Sequence, residues 1–130
     1  MDMETLANHI ISVAQQNEKS IEKYKLEKIM YFVLKTATTK EKELLIQDEL
    51  EAIYDEPFLL YFYGPTLVSQ SERFQVFQSA PIIGSEFKIS PELKKLNQTI
   101  LEYLEKPLMD LVKQSRETPF WRKNSQYSNG

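Results

Sequence analysis

Leu6, Ala7, Ile10, Ile11, Val13 and Ala14 recur at the three- and four-residue spacing of a helix face, and Glu4 suits the positive end of the helix dipole. That pattern predicts a first helix over 4–17. After Asn17-Glu18-Lys19-Ser20, in which Ser20 is a candidate cap, comes a segment with a different pattern. Ile21, Tyr24, Leu26, Ile29, Met30, Phe32, Val33 and Ala37 cover too many faces for a surface helix. A helix apolar on most sides is buried among others, so 21–36 is predicted to be the central helix. A third helix is expected between 41 and 53, after the helix-weakening threonines at 36, 38 and 39. Pro57 ends it.

Phe58 to Tyr63 is aromatic and strand-like, and Gly64-Pro65 reads as a turn. Leu67, Val68, Ser71, Phe74 and Phe77 outline a short amphipathic helix. Pro81, Gly84 and the alternation through Ile83, Glu86, Phe87, Lys88 and Ile89 predict a loop and a short strand pairing with 58–63. Ser90-Pro91-Glu92 is a helix start, followed by Leu93, Leu96, Ile100, Leu101 and Leu104 at helical spacing. Pro107 ends or kinks that run, or opens a last helix over 108–115. The expected fold is mainly α: five or six helices around the buried 21–36 helix, with a small two- or three-stranded β element near 58–63 and 83–89. One domain over 1–124 and a flexible tail over 125–130 complete it.

At 130 residues and 42% hydrophobic content the chain suits one packed domain. Fifteen aromatics, one Trp, seven Tyr and seven Phe, exceed what a core of this size needs and point to some at the surface. Net charge is −3 and the sequence pI about 5.3, against the basic face that nucleic-acid binding requires. No cysteine is present, which removes disulfides, thiolate metal sites and a Cys nucleophile. The apolar run Phe58 to Tyr63 is far too short to span a bilayer, and the acidic start Met1-Asp2-Met3-Glu4 is unlike a signal peptide. A cytoplasmic location with no membrane partner is expected.

Catalytic patterns are missing. His9 is the single histidine and reads as structural. Three glycines form no phosphate loop, and no serine sits in a G-x-S-x-G elbow. Neither a cofactor nor a metal is expected, and no enzymatic activity. Residues 41–56 hold seven acids against one lysine, a local charge of −6. A solvated helix face is the plain reading of that cluster, a partner-facing surface the sharper one, and a carboxylate-based hydrolase the weakest.

Three ordered signals carry a family resemblance. Lys25-Leu26-Glu27-Lys28-Ile29-Met30-Tyr31-Phe32, then Tyr61-Phe62-Tyr63-Gly64-Pro65, then Leu111-Val112 and Trp121 resemble the motifs of the Panacea, or SocA-like, antitoxin domain over residues 4–124. Departures fall on polar positions. Thr66-Leu67-Val68 stands for two valines, Ser71 for a tyrosine, Gln114-Ser115 for a Thr-His pair, and Phe120 intervenes between Pro119 and Trp121. The matched residues Lys25, Leu26, Lys28, Tyr31, Tyr63, Gly64, Pro65 and Trp121 are expected to mark the fold. Lys25 and Lys28, on an otherwise apolar helix, should reach out to solvent or pair with an acid.

The resemblance implies a domain, some relatives of which are phage-borne, that neutralises a cognate toxin by direct binding. Its namesake does so as an adaptor to a Clp-type protease. The alternative is a phage or mobile-element regulator that binds a host protein. The expected partner surface joins the acidic segment to 64–77, with Glu49, Glu51, Asp55, Glu56, Gln70 and Arg73 as contact residues.

Overall fold

The computed structural model describes residues 1–120 and the strand Gln126–Tyr127. Among the described residues six α-helices run in order: α1 Met3–Gln16, α2 Lys23–Ala37, α3 Gln47–Ile53, α4 Val68–Arg73, α5 Asn97–Leu104 and α6 Leu108–Glu117. Three short strands, β1 Leu59–Tyr61, β2 Gly64–Thr66 and β3 Gln126–Tyr127, form a sheet in the order β2-β1-β3. The mainly α fold with a small β element is as the hydrophobic pattern predicts.

Helix α2 is the axle. Residues 26–34 are buried without a break, and α1, α4, α5, α6 and β2 all pack against it. An aromatic cluster grows from its middle. Tyr31 meets Phe58 edge-on at 5.2 Å and stacks on Phe120 at 5.3 Å, while Phe32 stacks on Tyr103 at 5.4 Å. Such pairs add about 0.5–1.5 kcal/mol each beyond the area they bury. His9 is enclosed where α1 crosses the start of α5. Its Nδ1 accepts the Ser90 N–H at 2.9 Å and its Nε2 donates to Asn97 Oδ1 at 2.7 Å, an assignment that makes the ring neutral. Burial lowers its pKa further, and the role is structural.

Helix ends differ from expectation where side chains compete for the backbone. Glu22, rather than Ser20, caps α2, accepting the Tyr24 and Lys25 N–H groups. The stretch before it is held extended because Ile21 O accepts the Ile82 N–H at 2.8 Å. The third helix is shorter than predicted. Thr38 and Thr39 hydroxyls bond back to Leu34 and Thr36 carbonyls, Glu43 takes a positive φ of 43°, and Leu45 N–H returns to Ala37 O. Those turns occupy the residues before Gln47.

Asp2 caps α1 by accepting the Thr5 N–H and O–H, both at 2.7 Å, and these bonds hold its pKa below the usual carboxylate value. A depressed native pKa means that this stabilisation is complete above about pH 4 and is lost as pH falls through the lowered value. Asp2→Ala is expected to reduce stability by about 1 kcal/mol at pH 7, and the difference should shrink as pH falls below about 4. Urea denaturation at pH 7 and pH 3 checks both statements.

The β element corrects the predicted pairing. β1 pairs not with 83–89 but antiparallel with β2, Leu59 opposite Thr66, Leu60 opposite Pro65 and Tyr61 opposite Gly64. The turn is therefore Phe62-Tyr63, and Gly64-Pro65 lies inside the second strand. Pro65 is tolerated because β2 is an edge strand, where a missing N–H breaks no ladder. Residues 82–89 form no strand. Ile82 and Phe87 are buried one at a time, Gly84 takes φ +135°, and Ile82 N–H is already engaged by Ile21.

Pro91–Leu96 is a 3-10 turn that feeds α5, and Pro107 caps α6, so a new helix begins there. Within the expected tail, Gln126 and Tyr127 pair parallel with Leu59 and Leu60. Trp121 and the remaining tail residues lie outside the described residues.

Candidate functional site

The hairpin tip projects from the body. Arg116 on α6 donates from Nε and Nη2 to Phe62 O, at 3.2 and 2.7 Å, and lies over the Phe62 ring at 4.5 Å. Phe62 and Tyr63 meet edge-on at 5.0 Å and stay 69% and 61% exposed. Between this tip, the first turn of α2 and the first turn of α6 runs a groove of two cavities. One, about 280 Å³, is lined by Tyr24, Lys28, Tyr63, Leu108, Met109 and Val112. The other, about 380 Å³, is lined by Tyr24, Lys28, Tyr61, Tyr63, Thr66, Val68, Ser71 and Glu72. Tyr24, Lys28 and Tyr63 belong to both. Each cavity is near the lower end of the size range of ligand pockets.

Lys28 brings a charge into the groove lining, and the residue before it is a buried carboxylate. Glu27 is fully buried, and its carboxylate is satisfied by the fold: Oε2 accepts the Leu67 N–H at 3.0 Å and Oε1 the Ser71 hydroxyl at 2.6 Å. Burial pushes its pKa up, against the pull of those two donors and of Lys28.

Its neighbour Lys28 is only 1% exposed and forms no ion pair with any of the described residues. Among the described residues no acceptor hydrogen-bonds its ammonium and no carboxylate comes within 4.0 Å. Among those residues no enclosed side-chain nitrogen or oxygen lacks a partner, so the ammonium is not sealed in but opens to the groove. Burial lowers its pKa, offset in part by the Glu27 and Glu22 charges. Lys25, expected to behave alike, instead donates to Leu104 O at 2.8 Å at the end of α5.

Gly64 lets this lining exist. Its φ is +99°, and a Cβ there would lie 2.8 Å from Ser115 Oγ and 3.4 Å from Lys28 Cε. The hairpin backbone thus presses directly on the stem of Lys28. Of the family-motif residues, Lys28, Tyr63 and Gly64 meet at the groove. Leu26 and Tyr31 are core, and Pro65 sits buried in β2.

The expected partner surface is mostly engaged within the chain. Glu49 pairs with Lys95 and caps the Ile46 N–H. Glu51 accepts from Gln47 at 2.8 Å. Asp55 accepts the Met3 N–H at 3.0 Å, and Glu56 holds Ser69 at the start of α4. Gln70, at 2% exposure, is not at the surface. Arg73 donates to Asn8 Oδ1 at 2.6 Å and lies over Phe74 at 4.6 Å. Most of these acids fasten helix starts, which a charge count along the chain does not reveal. Missed in the sequence were Tyr24, Glu27, Val68 and Met109. The adjacent Glu27-Lys28 charges inside an apolar helix were the one available signal.

Among the described residues no helix is long and apolar enough to cross a membrane. Also among them, no group of three or more His, Asp or Glu side chains is arranged to hold a metal. Compared with protein-family models, with curated proteins and with solved structures, the chain matches none of them.

Proposed function

We propose that this chain is a non-enzymatic, cytoplasmic, antitoxin-like domain that neutralises a partner toxin by binding it directly, with delivery to a Clp-type protease as the mode its resemblance suggests. The observation that carries the binding reading is the groove. Tyr24, Tyr63, Val68 and Met109 stand exposed around one concave, largely apolar surface. Exposed aromatics and methionine at a cleft are the anchors that protein interfaces favour. The meeting of Lys28, Tyr63 and Gly64 there links the resemblance to the same place.

The test is co-expression with the product of the neighbouring gene in bacteria, scoring growth and co-purification on a tag. A toxic neighbour rescued by this chain and recovered with it supports the reading. A harmless neighbour with no complex removes it and transfers the groove to a host protein. The rim side chains are solvent-exposed, so Tyr63→Ala combined with Met109→Ala is expected to leave the melting temperature within about 2 °C. The same pair should weaken the complex by a factor on the order of a hundred or more. Calorimetry on the co-purified pair measures both.

A further inference from the structure

The most unusual feature of the groove is an ammonium with three N–H donors and no acceptor among the described residues. A lysine buried to this degree is normally paired, because transferring an unpaired charge out of water is costly. Glu27 supplies attraction but no hydrogen bond, because its oxygens, which accept from Leu67 N–H and Ser71 Oγ, stand more than 4.0 Å from Lys28 Nζ. The donors of Lys28 are therefore left for something that enters the groove.

The walls define that occupant. Tyr24 and Tyr63 line both cavities together with Lys28, and Leu108, Met109 and Val112 add aliphatic surface to one of them. The other end carries Glu72, a second carboxylate that would repel an acidic cluster. Lys28 lies where the two cavities meet, so an occupant placing its charge there continues in both directions.

We propose that the groove receives an apolar segment of a partner protein bearing one carboxylate, an Asp or Glu side chain flanked by large apolar residues, and that this carboxylate pairs with Lys28 Nζ. Charge complementarity selects this occupant: the groove offers one cation open to an apolar cleft and bonded to none of the described residues, and a single anion in an apolar segment answers it. The proposal rests on the partner-binding reading above and specifies its chemistry. A charge-assisted bond in a desolvated cleft is worth on the order of tenfold or more in affinity.

The experiment uses the full chain and an array of pentapeptides blocked at both ends. The central residue is Glu, Asp, Gln or Asn, and the flanks are drawn from Leu, Ile, Met, Phe and Trp. Binders are expected to be centred on Glu or Asp, and each should lose about tenfold or more when the acid becomes its amide. Lys28→Met keeps the aliphatic stem and removes the charge, so it should abolish the preference for acid over amide.

If that variant does not fold, the Nζ resonance of Lys28 in the unmodified chain decides. It should shift with a Glu-centred peptide and stay in place with its Gln counterpart. Equal binding of acids and amides, an unmoved resonance, or no peptide bound at all overturns the proposal. Those outcomes leave growth rescue by co-expression untouched. Loss of rescue with acid-selective peptide binding intact would instead sink the antitoxin reading alone.

Discussion

Glu27→Ala is expected to lower the unfolding free energy by about 3–5 kcal/mol, a large part of the 5–15 kcal/mol typical of a domain. Two donors, one buried and one half-buried, lose their acceptor at once, and a nearby cation loses an opposite charge. The Leu67 N–H and the Ser71 hydroxyl are left without an acceptor, and the Lys28 ammonium loses the nearest opposite charge. Leaving a buried donor without its acceptor costs the full desolvation of that group, about 1–3 kcal/mol for each. In urea the midpoint should fall by roughly 2 M at an ordinary slope.

Glu27→Gln keeps one acceptor and should cost less. Its pH behaviour is the sharper check. Burial raises the native pKa of Glu27 above 4.5, so the native state takes up its proton before the unfolded chain does. Protonation thus favours the folded state, and the gain is lost as pH rises through the raised value. The unmodified chain should therefore gain on Glu27→Gln as pH falls from 7 toward 4.5. A stability difference constant across that range would contradict the placement of the carboxylate.

Gly64→Ala is expected to cost about 2–3 kcal/mol through two effects that separate experimentally. The φ of +99° is a region that residues with a Cβ resist, and the added methyl lies 2.8 Å from Ser115 Oγ. Ser115→Ala removes that oxygen, at the expense of its hydrogen bond to Val112 O. The double variant should then lose less than the two single variants combined, with the backbone strain as the remainder. Strict additivity would mean that the contact is relieved by the hairpin moving away. Such a movement displaces Tyr63, so groove binding would fall further than stability alone explains.

The sequence made the fold legible where burial is continuous or the punctuation is unambiguous. Ile29 to Leu34 could only be an enclosed helix, and Pro107 and Ser90-Pro91 mark real boundaries. It misled where one residue has two possible uses. Gly64-Pro65 reads as a turn, but the glycine is needed for close approach to Lys28 and Ser115, and the proline fits an edge strand. The alternation at 83–89 has strand periodicity, but Ile82 binds Ile21 O instead of a strand partner.

The site was only half legible. Lys28 and Tyr63 are conspicuous in the chain, yet nothing local says that the hairpin and the start of α6 fold over Lys28. The acidic segment showed the opposite pattern, prominent in the sequence and still at the surface, but with three of its carboxylates holding Met3, Ser69 and Lys95.

Hydrogen–deuterium exchange on the complex with the neighbouring gene product tests the account most directly, because it reports where the partner sits. Slower exchange is predicted at 23–28, at the hairpin and α4 over 59–73, and at the start of α6, with 41–56 unchanged. Protection confined to 41–56, or no complex to measure, would contradict the assignment of the Lys28 groove as the binding surface.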